Sequence, residues 1–232
     1  MSSVNPKDFA RFKDTEFHAE MINGKWLCIR TPDGKVPFGQ IGSRSSKLPM
    51  TRFLRMPGDA DPEKSDEYNI NRTSTLVLRL PAEDYPEIIS IIDAMKDAFE
   101  EQNNAKAQTK KYNPVHSPYN PVTEELTIRV PPSSQFMDDE NNDDEGIPVI
   151  IPHDTFTDKG FWITPFIKPG SLFRATSTTN AENGKPKHWS SFNLKLDNAM
   201  VHAMDDDDDE KKDIDENSNN EGSKRAKVSD FA

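Results

Sequence analysis

Three tryptophans stand at positions 26, 162 and 189, and each is set among lysines and arginines. Between Met21 and Arg55 seven bases (Lys25, Arg30, Lys35, Arg44, Lys47, Arg52 and Arg55) face the single Asp33. Between Lys159 and Lys195 six bases stand against Glu182 alone, interleaved with Phe161, Trp162, Phe166, Phe173, Trp189 and Phe192. Cations follow phosphates while flat rings stack on unpaired bases, so a groove for single-stranded nucleic acid needs both residue types side by side. The phosphate contacts expected from this pattern are Arg30, Arg52, Arg55, Lys168, Arg174, Lys185 and Lys187. The expected stacking rings are Trp26, Phe53, Trp162 and Trp189. Trp189 stands out because "KPKHWSS" puts it at a turn-to-strand junction beside two lysines. The competing reading is packing, since most aromatics in a small β protein fill its core and scattered cations are solvated surface.

Other chemistry is poorly supplied. The five histidines (His18, His116, His153, His188 and His202) are dispersed, without metal-ligand spacing near carboxylates. There is no Gly-rich loop followed by Lys-Ser or Lys-Thr to cradle a nucleotide. The adjacent His153-Asp154 pair is too little for a nuclease site. Neither catalysis nor a cofactor nor a resident metal is expected. A single cysteine, Cys28, excludes an internal disulfide and fits a reducing compartment. The start has no apolar run of signal-peptide length, and no stretch approaches the ~18 apolar residues of a membrane span. The expectation is an intracellular protein with no membrane partner.

The net charge of −11 changes meaning once it is partitioned. From Asp205 to the end there are 11 acids and five bases, and the block "DDENNDDE" at 138–145 has six acids and no base. With both set aside, the remainder carries a net charge of about +1. Acid is confined to two segments of a body that is otherwise neutral to slightly basic.

The elements that would position these residues are mostly strands. "STLVLRL" alternates Leu76, Leu78 and Leu80, "EELTIRV" alternates Leu126, Ile128 and Val130, and "SFNLKLDN" alternates Phe192, Leu194 and Leu196. "DYPEIISIIDAMKDAFEEQ" puts Ile88, Ile91, Ile92, Met95 and Phe99 on one helical face, with Pro86 tolerated in the first turn. Prolines and glycines between Trp26 and Met56 punctuate short strands, "GDADPEKSDEYN" reads as a loop, and 138–145 reads as an exposed acidic loop. Seven or so short strands, one long amphipathic helix and polar excursions give a mainly β fold, an OB-fold-like closed β barrel. The expected organisation is an N-terminal arm at 1–20, a domain at 21–204 and a disordered acidic C-terminal tail at 205–232.

This layout resembles the single-stranded DNA-binding proteins of T-seven-like phages and of large DNA viruses. The resemblance covers roughly residues 70–232: the helix after "STLVLRL", basic and aromatic strands in the second half, the last strand "SFNLKLDNAMV", and an acidic tail with Phe near its end. It implies an OB fold that binds single-stranded DNA with little sequence preference and acts in replication, recombination and repair. It also implies that the tail, through Asp230 and Phe231, recruits a DNA polymerase or helicase; homodimer formation is left open. Those phage proteins end on Phe, whereas here Ala232 follows Phe231.

The tail contains its own cations. Lys211 and Lys212 precede Lys224, Arg225 and Lys227 by the spacing of a bipartite nuclear-import signal, which would place the protein in a host nucleus or at a viral replication site. Against a basic groove, the acidic residues around them can act as an internal competitor for DNA. A second reading is an acidic interaction protein of the histone-chaperone sort, with both acidic segments binding basic partners and the barrel serving as scaffold.

Overall fold

The computed structural model describes residues 7–8, 15–31, 33–41, 54–104, 112, 114–156, 160–182 and 185–204, and only the backbone at 7–8, 177–182, 185–187 and 203–204. The chain opens with β1 (Lys7–Asp8) and a hairpin of β2 (Phe17–Ile22) and β3 (Lys25–Arg30). The hairpin turns on Asn23 and Gly24, with φ of +50° and +74°. Positive φ at both central residues is the geometry of a two-residue hairpin turn, and Asn-Gly adopts it at least cost. β4 (Gly39–Gln40) and β5 (Leu54–Arg55) are short, as the punctuation implied. The stretch expected to be a loop holds a five-residue helix, α1 (Asp66–Ile70). It forms because the Ser65 hydroxyl accepts the Tyr68 N–H at 3.2 Å, an N-cap that composition alone did not reveal.

β6 (Ser74–Arg79) and α2 (Pro86–Asn104) fall where alternation and helical period placed them. After them come β7 (Val115–His116), β8 (Tyr119–Asn120) and β9 (Glu125–Val130). β10 (Gln135–Asn142) and β11 (Pro148–Ile151) form a hairpin, followed by a 3-10 turn at His153–Phe156. Last are β12 (Phe161–Pro169), β13 (Phe173–Glu182), β14 (Lys185–Ser191) and β15 (Leu194–Met204).

The acidic block is therefore not a loop. Residues 138–142 lie in β10, and only the following turn projects as expected. The reason is pairing on both sides: β10 runs parallel to β15 from Gln135 opposite Asn198 to Asp138 opposite Val201, and antiparallel to β11 out to Asn142 opposite Pro148. The Asp138 side chain then accepts from the backbone N–H of Glu140 and Asn141 and from the Asn141 amide, which holds its carboxyl below the usual carboxylate range.

Ten strands make the main sheet, in the order β1-β4-β12-β15-β9-β6-β5, with β10 and β11 branching from β15 and β8 from β9. The mainly β expectation holds. The closed barrel does not: among the described residues no pairing joins β5 to β1, and the ladder stays open at both ends. β13, β14 and β7 make a separate three-stranded sheet. One face of the main sheet carries Leu76, Leu78, Leu126, Ile128, Leu194 and Leu196, all buried. The buried stripe of α2 (Ile88, Ile91, Ile92, Met95 and Phe99) joins the same core, and Phe99 meets Phe192 with ring centroids 5.2 Å apart. Phe136, Phe156 and Phe161 are buried in the same core, with centroids 4.4 to 6.0 Å apart.

Cys28 sits in that core with no exposed surface, and burial pushes its thiol up to about 12. Because the thiolate is the reactive form, we expect Cys28 of the native protein to react with a disulfide reagent on the order of 10³-fold more slowly than after unfolding. Rapid labelling under native conditions would show that β3 does not pack as described.

Candidate nucleic-acid interface

β13 and β14 form a hairpin that grows directly out of β12 and β15. Its base is a tight junction: the Gly170 N–H donates to the Asn193 carbonyl at 2.5 Å, and a Cβ at Gly170 would overlap the Asn193 side chain. In the hairpin Phe173 pairs with Ser191 and Ala175 with Trp189, and Ser191 also pairs with His116 of β7. Phe173, Trp189 and His116 consequently share one face. The Phe173 and Trp189 ring centroids are 5.5 Å apart and the His116 ring stands edge-on to Trp189 at 6.3 Å. Phe173 is 54% exposed, unusual for a large apolar ring, while Trp189 is half-buried.

The opposite face of the hairpin is bound to the helix. The Asn103 amide, buried at the end of α2, donates to the Ser190 hydroxyl at 2.8 Å and to the Tyr112 carbonyl at 2.7 Å. Ser190 Oγ donates to the same carbonyl, and Arg174 Nε donates to Asn103 Oδ1 at 2.9 Å. The Arg174 guanidinium also lies 5.4 Å from the Tyr112 ring centroid, and burial holds its pKa below the ordinary arginine value. Arg174, expected to contact phosphate, is thus a strut that fixes the hairpin. Its neighbour Phe173 is the exposed residue; strand alternation allows only one of the two to face out.

The other expected residues divide in the same way. Lys168 of β12 is exposed and opposite Lys195 of β15, and its ammonium lies 3.1 Å from Asp197 Oδ1. Trp162 and Phe166 are half-buried and alternate onto the Lys168 side of β12. Trp26 packs against the core, and its carbonyl accepts the Leu172 N–H at 2.9 Å. Arg30 is engaged by Asp33 at 2.9 Å within a turn. Arg55 is exposed on the short strand β5. Lys185 and Lys187 belong to β14 by backbone. Arg52, Phe53, Lys211, Lys212, Lys224, Arg225, Lys227, Asp230 and Phe231 lie outside the described residues.

The structure therefore brings Trp189 together with Phe173 and His116, at the end of the two strands that carry Lys168 and Lys195. Trp26, although its carbonyl holds the residue before Phe173, packs against the core, and Arg30 serves its turn. Phe173 and Lys195 both lie in the basic, aromatic stretch, and the pattern "LKL" around Lys195 was enough to turn it outward. Among the described residues no cluster of three metal-ligating side chains occurs, and no helix is long and apolar enough to cross a membrane.

Replacing Asn103 with Ala would leave Ser190 and Arg174 without their buried partner, at a cost of about 1–3 kcal/mol. We expect this as a lowered urea midpoint. Unchanged stability would mean that the hairpin is not held through α2. No protein-family model matches the chain, and no curated protein matches it. Among solved structures, it is similar to the single-stranded DNA-binding protein from bacteriophage Enc34, in a C-terminally truncated form. That match has 14% identity and a TM-score of 0.38, over 83% of this chain and 97% of the other.

Proposed function

We propose that this protein binds single-stranded DNA with little sequence preference and, as a non-catalytic factor, serves DNA replication, recombination and repair. The observation that carries the reading is the exposed Phe173 ring against Trp189, on a hairpin whose base is flanked by Lys168 and Lys195. An exposed stacked pair with cations at its foot offers unpaired bases a surface and their phosphates counter-charges, without hydrogen bonds that would read sequence. In this reading the β domain is the binding module. The acidic segment 205–232 competes with DNA for it and, once displaced, recruits a polymerase or helicase through Asp230 and Phe231. The basic residues 211–227 would direct it to a nucleus.

A second reading has its own observation. The β10–β11 hairpin presents acids at its tip beside exposed Ile147, Val149 and Ile150, a combination suited to basic, partly apolar proteins.

The two separate in a titration of the full chain with oligo-dT. Under the first, tryptophan fluorescence is quenched, and log affinity falls with log salt by about 0.7 for each phosphate neutralised. Phe173→Ala, which removes an exposed ring at little cost to folding, weakens binding by about 1–3 kcal/mol. No quench at low salt, together with binding of a cationic peptide, would favour the second.

Removing residues 205–232 is expected to tighten oligo-dT binding several-fold at low salt, with the difference vanishing as salt screens the competition. Equal affinities at low salt would refute the competitor role.

A further inference from the structure

The pairing registers of the main sheet align cations that are far apart in sequence. Lys168 on β12 is opposite Lys195 on β15, Lys195 is opposite Arg129 on β9, Arg129 is opposite Thr75 on β6, and Thr75 is opposite Arg55 on β5. Residues directly opposite in a ladder lie on the same face, and none of these pairs falls at a register shift. Both neighbours of each residue on β6, β9 and β15 point to the buried Leu and Ile face, so this row faces away from the core. Lys168, Lys195, Arg129 and Arg55 are all exposed. The row crosses five adjacent strands, about 19 Å at ~4.8 Å per strand.

Its composition is costly to the fold. Three cations stand consecutively opposite one another at Lys168, Lys195 and Arg129, and like charges directly opposite destabilise a sheet. Among the described residues the acids that pairing places on this face are few: Asp197, brought to Lys168 by a bulge, Asp139, held by His202, and Glu125 opposite Arg79 at the far end of β9. Among the described residues neither Lys195 nor Arg129 forms an ion pair. A line of cations perpendicular to the strands, with Lys195 and Arg129 at its middle unneutralised and Lys168 paired to Asp197, complements a chain of regularly spaced anions. A globular acidic surface would not require one line.

Accordingly, we propose that the phosphate backbone of the bound single strand runs crosswise over this open face along Lys168, Lys195, Arg129 and Arg55, leaving its bases to reach the Phe173–Trp189 platform at the Lys168 end. The inference rests on the single-strand reading above and adds a path to it. Arg129 and Lys195 become binding residues, and platform and track make separable contributions: stacking at one end, counterion release along the other.

The test is oligo-dT binding by the full chain over a range of salt, comparing wild type, the double variant Arg129→Gln/Lys195→Gln, Phe173→Ala, and Lys64→Gln as a charge control in the exposed loop before α1. Losing two phosphate contacts should reduce the salt slope by about 1.4. The fluorescence quench at saturation should remain, and the thermal midpoint should be unchanged or raised because like-charge repulsion is relieved. Phe173→Ala should reduce the quench and keep the slope, and Lys64→Gln should match wild type. If wild type binds but the double variant keeps the wild-type slope, or loses no more than Lys64→Gln, the track is wrong while the single-strand reading stands. If wild type shows no salt-dependent binding, the underlying reading fails. A lowered thermal midpoint with an unaltered slope would make the row structural.

Discussion

Everything in this fold hangs on β15 having two edges to satisfy. An eleven-residue strand exposes a row of N–H and C=O groups on each side, and buried ones must be paired. β12 covers one edge along nearly its whole length. The other edge is shared: β9 takes Leu194 and Lys195, and β10 takes Asn198 to Val201. That division makes the sheet fork, places the acidic hairpin on one branch, and sets β9, β6 and β5 out as the other. A strand of ordinary length would have served one neighbour and left no branch.

Length brings irregularity. The β12–β15 register slips twice, each time with an extra residue on β15, at Asp197 and at His202. A bulge re-aims the side chain of the extra residue, and both are used. Asp197 turns to Lys168. His202 is buried on the Thr164 side of β12, where one ring nitrogen lies 2.7 Å from Thr164 Oγ1 and the other 2.9 Å from Asp139 Oδ2, so that three strands are tied by one imidazole. The same strand fixes the distance between the cationic end of the sheet and the acidic segment. From Lys195 to Met204 is about 31 Å at ~3.4 Å per residue, and the 28 residues that follow can span at most about 100 Å when extended, so the acids are within reach of the cations.

What could be read from the sequence was local. α2 was legible because five apolar side chains repeat at helical spacing, and β6, β9 and β15 because leucines and isoleucines alternate. Arg30 could have been assigned to its turn from Asp33 three residues on. The acidic stretch was misread because its charges hide a strand whose pairing partners are the distant edge of β15 and the hairpin partner β11. The closed barrel was inferred from strand number, and nothing in strand number states whether the first and last will meet. The alignment of Arg55, Arg129, Lys168 and Lys195 was invisible for a similar reason: it depends on parallel pairing between β9 and β15, which are separated by more than sixty residues. Composition could say that cations and rings were plentiful. Register decides which of them form a line.

The junction at Gly170 and Asn193 gives the platform a mechanical property. Two linkers that touch backbone to backbone, with no room for a Cβ between them, leave the hairpin no hinge at its root. Asn103 and Arg174 brace it from the far side against α2. The backbone that carries the Phe173–Trp189 ring pair is thus fixed from both sides, so any ligand meeting these rings would find their strands already ordered. An aromatic on a free loop would have to be ordered first.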